Sequence, residues 1–439
     1  MIEKLIAAWQ IPDVKRRILF VLFMFAVFAV GAHIPVPGVN PKQISSFMAQ
    51  TSTNNLFGLI NAFSGGALRR FSVFAMGIAP YINASIIAQM MTMAIPKWRA
   101  IEQEGEAGRK RIAGYTRVGS IVLGVVQSIG MLLLFRQFSI VIAPIEEIVV
   151  VVTLTAGSTF LLWLGEQVTE HGVGNGVSLV IFAGIMLSMP TYISGIFATI
   201  QGGSVPWINA VFLVAAFVGM VVLVVYITQG TRRIPVMHFK RVVGRGQTQG
   251  GSSFLPIKVN SAGVIPIIFA ISLMLLPATL MNAVPATIGS TLYEVKHWLL
   301  KLQPGANWWS TTFYALVVAF FTYFYTAIVL PVEDMADNLN KGGSYIPGIR
   351  MGKPTLDYLE AVVSRITFAG AIFLAFIAVM QYVVPTWTGF PTFTLIGGTS
   401  LLILVGVAIE TMQAIEAQLL MRNYEGFIKK GPRSPQIGQ

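Results

Sequence analysis

Apolar residues in this chain fall in long runs, separated by shorter polar stretches that carry most of the charge. A helix needs about 20 mostly apolar residues to cross a bilayer. Ten segments reach that length, near 17–33, 72–95, 115–136, 148–168, 176–198, 208–229, 260–283, 310–332, 362–385 and 394–421. The last is long enough to run on into water as an ordinary helix. Lys15, Arg16 and Arg17 precede the first run, which continues without a small-residue cleavage motif. It reads as a retained span and not as a removed signal peptide. Ten spans divide into two groups of five, 1–205 and 206–439. Adjacent groups with an odd number of spans must have opposite topology, which permits inverted repeats, although no residue-level repeat links the halves.

Composition fixes the class. Of 439 residues 55% are hydrophobic and only 11% are charged, where a soluble domain carries roughly 25% charged residues. The pattern predicts an all-α polytopic membrane protein. The net charge of +12 sits in alternate connections: the N-terminal tail, 96–114, 230–259, 333–361 and the C-terminal tail. The others, 137–147, 199–207, 284–309 and 386–393, carry few charges. By the positive-inside rule both termini are cytosolic. Arg69 and Arg70 break the rule, because they fall on the outer side. There are no cysteines, which removes disulfides, thiolate metal sites and a cysteine nucleophile.

Chemistry in the spans is sparse. Glu166 lies near the cytosolic end of the fourth, Glu410 lies deep in the tenth, and His33 closes the first. Coupled transporters keep acids or histidines at mid-membrane depth, and that signature is thin here. No phosphate loop, HExxH or GxSxG motif is present, so neither an enzyme nor a cofactor or metal site is expected. Ile78 and Ile82 share a helix face, as in a conduit with an apolar wall or in ordinary packing. Ser64-Gly65-Gly66 breaks an apolar stretch at 55–63 that is too short to span; such a segment re-enters, lies on the surface or fills a cavity. Loop 230–259 has six basic residues and no acid, an anion-binding projection in which RRIPV and HFKRVV read as a strand-like pair. In loop 333–361, turn dipeptides around Arg350 present that side chain as a contact.

The stretches FSGGALRRFSVFAMGIAPYINASII, WLGEQVTEHGVGNGVSLVIFAGI, LPIKVNSAGVIPIIFA, ADNLNKGGSYIPGIRMG and GGTSLLILVGVAIETMQ together resemble the SecY family, the channel subunits of the bacterial Sec translocon, in order and over nearly the whole chain. The resemblance implies ten transmembrane helices as two inverted five-helix halves around a central pore. It implies a re-entrant plug helix at about 55–66, with Phe57, Leu59, Ile60, Phe63, Gly65 and Gly66. It implies an aliphatic pore ring of Ile78, Ile82, Ile268 and Ile403, with Ile181 or Ile185 from the fifth span; Ile267 and Leu275 are further candidates. An aliphatic ring offers no fixed hydrogen bonds, so any side chain slides past it, while dewetting helps it close.

The same resemblance implies a lateral gate between spans two and three and spans seven and eight, for which Gln89, Gln127 and Asn260 are the polar candidates. It implies docking of the SecA motor and of the ribosome through Arg232, Arg233, Lys240, Arg241, Arg245 and Arg350. Met351 stands where many members carry proline. SecE and SecG subunits, signal peptides, unfolded polypeptides and lipid are the further partners, and the cytoplasmic (inner) membrane is the location. The expected function is a passive gated channel that moves secretory polypeptides across the membrane and releases hydrophobic segments sideways. A secondary transporter with inverted repeats and an insertase restricted to membrane segments are the rival classes. Gradient-coupled flux of small solutes would mark the first; failure to pass soluble secreted chains would mark the second.

Overall fold

The computed structural model describes residues 9–39, 61, 64–137, 144–203, 205–238, 242–243, 246–247, 252–283, 294–295, 298–299, 301–302, 304–305, 307–390 and 397–429. A helix occupies each of the ten predicted spans. The first five are α1 (Pro12–Gly31), α3 (Ala79–Ala94), α5 (Glu106–Gln137), α6 (Pro144–His171) and α7 (Gly176–Gln201). The second five are α8 (Trp207–Gln229), α9 (Ile265–Ala283), α10 (Trp308–Val329), α12 (Lys353–Thr388) and α13 (Thr399–Lys429). Shorter helices connect them: α2 (Ala67–Arg70), α4 (Pro96–Gln103) and α11 (Val332–Lys341). Seven helices among the described residues, α5, α6, α7, α8, α10, α12 and α13, are long and apolar enough by themselves to cross a membrane.

Local sequence sets the helix ends. Proline near the start opens α1, α3, α4 and α12, where its missing N–H costs nothing. The Asn175 side chain accepts from the Val177 and Ser178 amides at the start of α7, the ordinary N-cap role. Gly389, at φ 76, ends α12 in the left-handed region.

The second span departs from its expected extent. The apolar pattern predicts helix from 72, but 71–78 is a chain of turns and helix begins only at Ala79. Pro80 cannot lie inside a helix without breaking a hydrogen bond, and Gly77 has φ 57. The sixteen residues of α3 reach about 24 Å, so the irregular segment supplies the remaining depth. Its backbone is satisfied by the strand-like stretch after α1: Val36 N–H donates to the Phe71 carbonyl and Val73 N–H to that of Ile34. Phe74 stacks between Phe28 and Phe160, both at 5.9 Å.

Each half buries its own core, and the two meet along a central seam. Helix α10 lies between α9 and α12, while α3, α5 and α6 pack side by side. Across the seam α9 meets α3 and α5 on one side, and α13 meets α7 and α1 on the other. Ile403 and Val407 of α13 belong to the first half's core, and Ile86 of α3 to the second half's.

The large basic connections are not separate loops. Strand β1 (Thr231–His238) pairs antiparallel with β4 (Ser252–Lys258) and, at Met237 and His238, with β5 (Ser344–Tyr345). One sheet, ordered β4-β1-β5, therefore joins 230–259 to 333–361. The expected pairing of RRIPV with HFKRVV does not form. Both RRIPV and His238 belong to β1, and the Val242–Val243 strand, β2, pairs with β3 (Gly246–Gln247). Ile234 and Ile257 bury against Ala336, Ile346 and Leu359, which fixes which face of the sheet turns outward.

Tryptophans fall at different ends of the two halves, apart from exposed Trp163 partway along α6. Trp207, Trp308, Trp309 and Trp387 lie at the end of the second half remote from the sheet; there Asn209 Nδ2 donates to the Thr388 carbonyl. In the first half exposed Trp9, and half-buried Trp98 tilted against Tyr115 at 5.6 Å, lie at the same end as the sheet.

Candidate functional site

At the seam, six isoleucines from both halves line one cavity, five of them among the expected ring. Ile78 and Ile82 come from the start of α3, Ile181 from α7, Ile268 from α9 and Ile403 from α13. Ser64, Met76, Gly77, Ala79, Ile271 and Ser272 complete the lining. The space open to water centres is about 60 Å³, room for a few molecules and far too little for an extended polypeptide. The wall is aliphatic, with only two serine hydroxyls.

Of the two fifth-span candidates, Ile181 faces this cavity; Ile185, four residues on, lies outside the lining, buried in the first half's core. Ile267 is likewise buried within the second half's core. The Leu275 side chain lies outside the described residues. Met76, Gly77, Ile271 and Ser272 had not been singled out. Helical spacing could have found two of them, since Ile271 and Ser272 stand three and four residues after Ile268 and share its face. Met76 and Gly77 precede the helix, where periodicity says nothing.

Ser64 closes the cavity on one side. Its hydroxyl accepts from the Leu68 N–H at 3.3 Å and donates to the Asn61 carbonyl. Gly65, at φ 73, sits against Phe28, Leu187 and the Gly184 backbone, and Gly66 has φ 78. Both positions need the conformational freedom of glycine. Phe57, Leu59, Ile60 and Phe63 lie outside the described residues. Arg69 and Arg70 are exposed on α2, clear of the apolar wall. Arg70 is hydrogen-bonded to His33 Nε2, and His33 Nδ1 donates to the Ala29 carbonyl. That pair of contacts is satisfied by the neutral tautomer with its proton on Nδ1.

The polar candidates are not brought together. A Cβ on Gly119 would touch that of Ala84, and one on Gly124 that of Pro80. This antiparallel register puts Gln89 and Gln127 at opposite ends of the α3–α5 pair, both partly buried. Asn260 is buried ahead of α9, where its Nδ2 donates to the Gly263 carbonyl at 3.1 Å. Neither Asn260 Oδ1 nor Gln89 Oε1 has a partner among the described residues. Glu166 is paired with Arg117 at 2.6 Å. Glu410 lines a small pocket with Lys258, Asn260 and Gln413, where Lys258 Nζ donates to Gln413 Oε1 at 3.1 Å.

On the sheet, Arg232 and Arg233 are exposed on β1, and Arg350 is exposed on the turn after β5. Thr355 Oγ1 donates to the Arg350 carbonyl at 2.8 Å, tying that turn to the start of α12. The pairing of β1 with β5 brings these arginines onto one platform. Lys240, Arg241 and Arg245 lie outside the described residues. His238, which sequence reasoning passed over, is within hydrogen-bond reach of Ser253 on β4 at 3.1 Å and of Ser344 on β5 at 2.6 Å.

The pattern of the SecY family matches residues 72–412. The Protein translocase subunit SecY of Halalkalibacterium halodurans is 44% identical over 431 residues, covering 96% of this chain and 98% of that one. Two solved structures share the fold at lower identity. One is of a SecY protein whose plug domain stabilises the closed state of the translocation channel and maintains a membrane seal; it covers 92% of each chain at 19% identity and TM-score 0.62. The other is Sec61 in the canine ribosome-channel complex, covering 92% of each chain at 16% identity and TM-score 0.57. Fold, seam and whole-length similarity agree, and the chain belongs to the SecY family.

Proposed function

We propose that this protein is a gated protein-conducting channel and that the isoleucine-lined cavity is its closed constriction. The observation that carries the reading is the ring itself: isoleucines from four helices, α3, α7, α9 and α13, drawn from both halves, converge on one narrow space. An aliphatic ring passes side chains of any chemistry and resists wetting when nothing fills it. Two bodies, 1–205 and 206–439, separate along the seam to widen it. The α9 contact with α3 and α5 is the lateral gate through which apolar segments reach lipid, with Gln89, Gln127 and Asn260 at its margins. The segment at about 55–66 is the plug.

The protein lies in the cytoplasmic membrane with both termini cytosolic, and SecE and SecG subunits accompany it. The channel is passive, and the sheet is the docking platform. Its exposed arginines suit carboxylate or phosphate, which fits the SecA motor and a translating ribosome; the ribosome is bound by the related Sec61 channel. The test is crosslinking. A cysteine at Ile78 or Ile268, in a chain otherwise free of cysteine, is expected to form a disulfide with a stalled secretory chain bearing one cysteine. A cysteine at lipid-facing Val222 is not. Equal crosslinking at all three positions, or none at the isoleucines, overturns the reading.

A further inference from the structure

The start of α13 is held from outside the helix. Gln381, on α12, is fully buried, as are Thr399 and Ser400. Its Oε1 accepts from the Thr399 backbone N–H at 3.2 Å and from Thr399 Oγ1 at 2.8 Å. Both atoms donate, the backbone amide necessarily, so the amide oxygen and not the nitrogen faces them. The first N–H groups of a helix have no partner within it. In a span, such a group left unpaired is costly, and Gln381 supplies the partner from another helix.

The approach is close enough to demand glycine. Gly398, at φ 56, would carry a Cβ only 2.5 Å from Gln381 Cβ and 2.9 Å from Oε1. Backbone and amide are therefore pressed together just before the helix begins, and the Leu402 N–H donates to the Gly398 carbonyl in its first turn. Ile403 follows Thr399 by four residues, about one turn, and it projects into the cavity. The height and rotation of Ile403 are thus referred to α12 through one side chain. Gln381 Nε2 has no partner among the described residues, so the oxygen's two bonds are what offset the burial of the amide.

We propose that Gln381 is a positioning residue for the constriction: it pins the first turn of α13 and so holds Ile403 in the closed ring. This rests on the channel reading above. The test uses the channel with its partner subunits, reconstituted in planar bilayers, with resting ion conductance as the readout. Gln381→Leu removes the acceptor and is expected to raise resting conductance about tenfold, the shift expected when a buried hydrogen-bonded tie is lost. Gln381→Glu, measured at acidic pH where the buried carboxyl is neutral, keeps an acceptor oxygen at the same reach and is expected to stay within about twofold of the parent at that pH. Thr399→Val, which deletes only the hydroxyl donor, is expected to fall between them.

Ile403→Gly separates the two claims. If that variant does not leak, the constriction reading fails. If it leaks while Gln381→Leu and Thr399→Val stay sealed, the positioning role fails. Should Gln381→Leu not assemble, Thr399→Val and Gln381→Glu decide: a sealed Thr399→Val, or equal leaks in both, rejects the proposal.

Discussion

Val73 shows how little room the irregular entry to the second span has. A Cβ on Gly157 of α6 would stand 2.0 Å from the Val73 carbonyl oxygen, and a backbone oxygen cannot swing aside as a flexible side chain can. Gly157→Val is therefore expected to push 71–78 off α6 and lower stability by about 1–3 kcal/mol, as overpacking commonly does; thermal unfolding of the purified protein measures it. The fifth span offers a contrast between neighbours on one helix. Ile181 and Ile185 are both buried in the first half's core, but only Ile181 lines the cavity. Ile181→Ser is expected to raise resting ion conductance, at a stability cost of about 2–5 kcal/mol because Ile181 too is buried. Ile185→Ala is expected to cost about 2–5 kcal/mol with little leak. Equal leaks from the two would mean that the cavity is not the seal. Sequence alone left these two positions as alternatives, because both lie on one apolar helix in an apolar chain and only the packing of α7 against α13 and α1 turns one of them toward the seam.

Among elements, β1 carries the most information that the sequence concealed. The spans were legible because a run of about 20 apolar residues is at home in hydrocarbon and almost nowhere else. The basic loops were legible only as charge. Pairing of Met237 with Tyr345 spans more than a hundred residues, and no local pattern marks such a contact; two short polar segments meet only once the helices beneath them are packed. The late start of α3 was concealed for the opposite reason, since its preceding turns are as apolar as the helix. With Arg350 on the turn tied to α12 by Thr355, Arg350→Glu is expected to abolish motor-driven transport while the complex assembles and keeps its thermal midpoint. Parent-level transport by that variant would remove this turn from the docking surface. Ser344→Ala should act more mildly. It takes away one of the two serines flanking His238, and it is expected to loosen β5 from β1, read as faster amide exchange at Tyr345.

For the whole molecule, the seam is the organising feature. Each half has a main core of its own, yet Ile403 and Val407 are shared into one and Ile86 into the other, so the halves interlock and do not merely abut. The exposed tryptophans add a boundary condition. Indole rings settle at the headgroup level, and here the second half places its exposed rings at the end remote from the sheet, while in the first half exposed Trp9 and half-buried Trp98 lie at the sheet end and Trp163 partway along α6. On that distribution the end tryptophans are expected to moor the two halves in opposite leaflets. Hydrophobic mismatch then becomes a mechanical load: a thicker bilayer draws the two moorings apart and shears α9 along α3 and α5, at a cost of fractions of a kcal/mol per Å. Resting conductance is expected to rise from short-chain to long-chain phosphatidylcholine bilayers. The dependence should flatten in Trp308→Leu/Trp309→Leu, which releases one mooring without touching the ring; an equal slope in parent and variant would detach the tryptophans from the effect. The lipid around this channel, on that account, sets how tightly it rests shut.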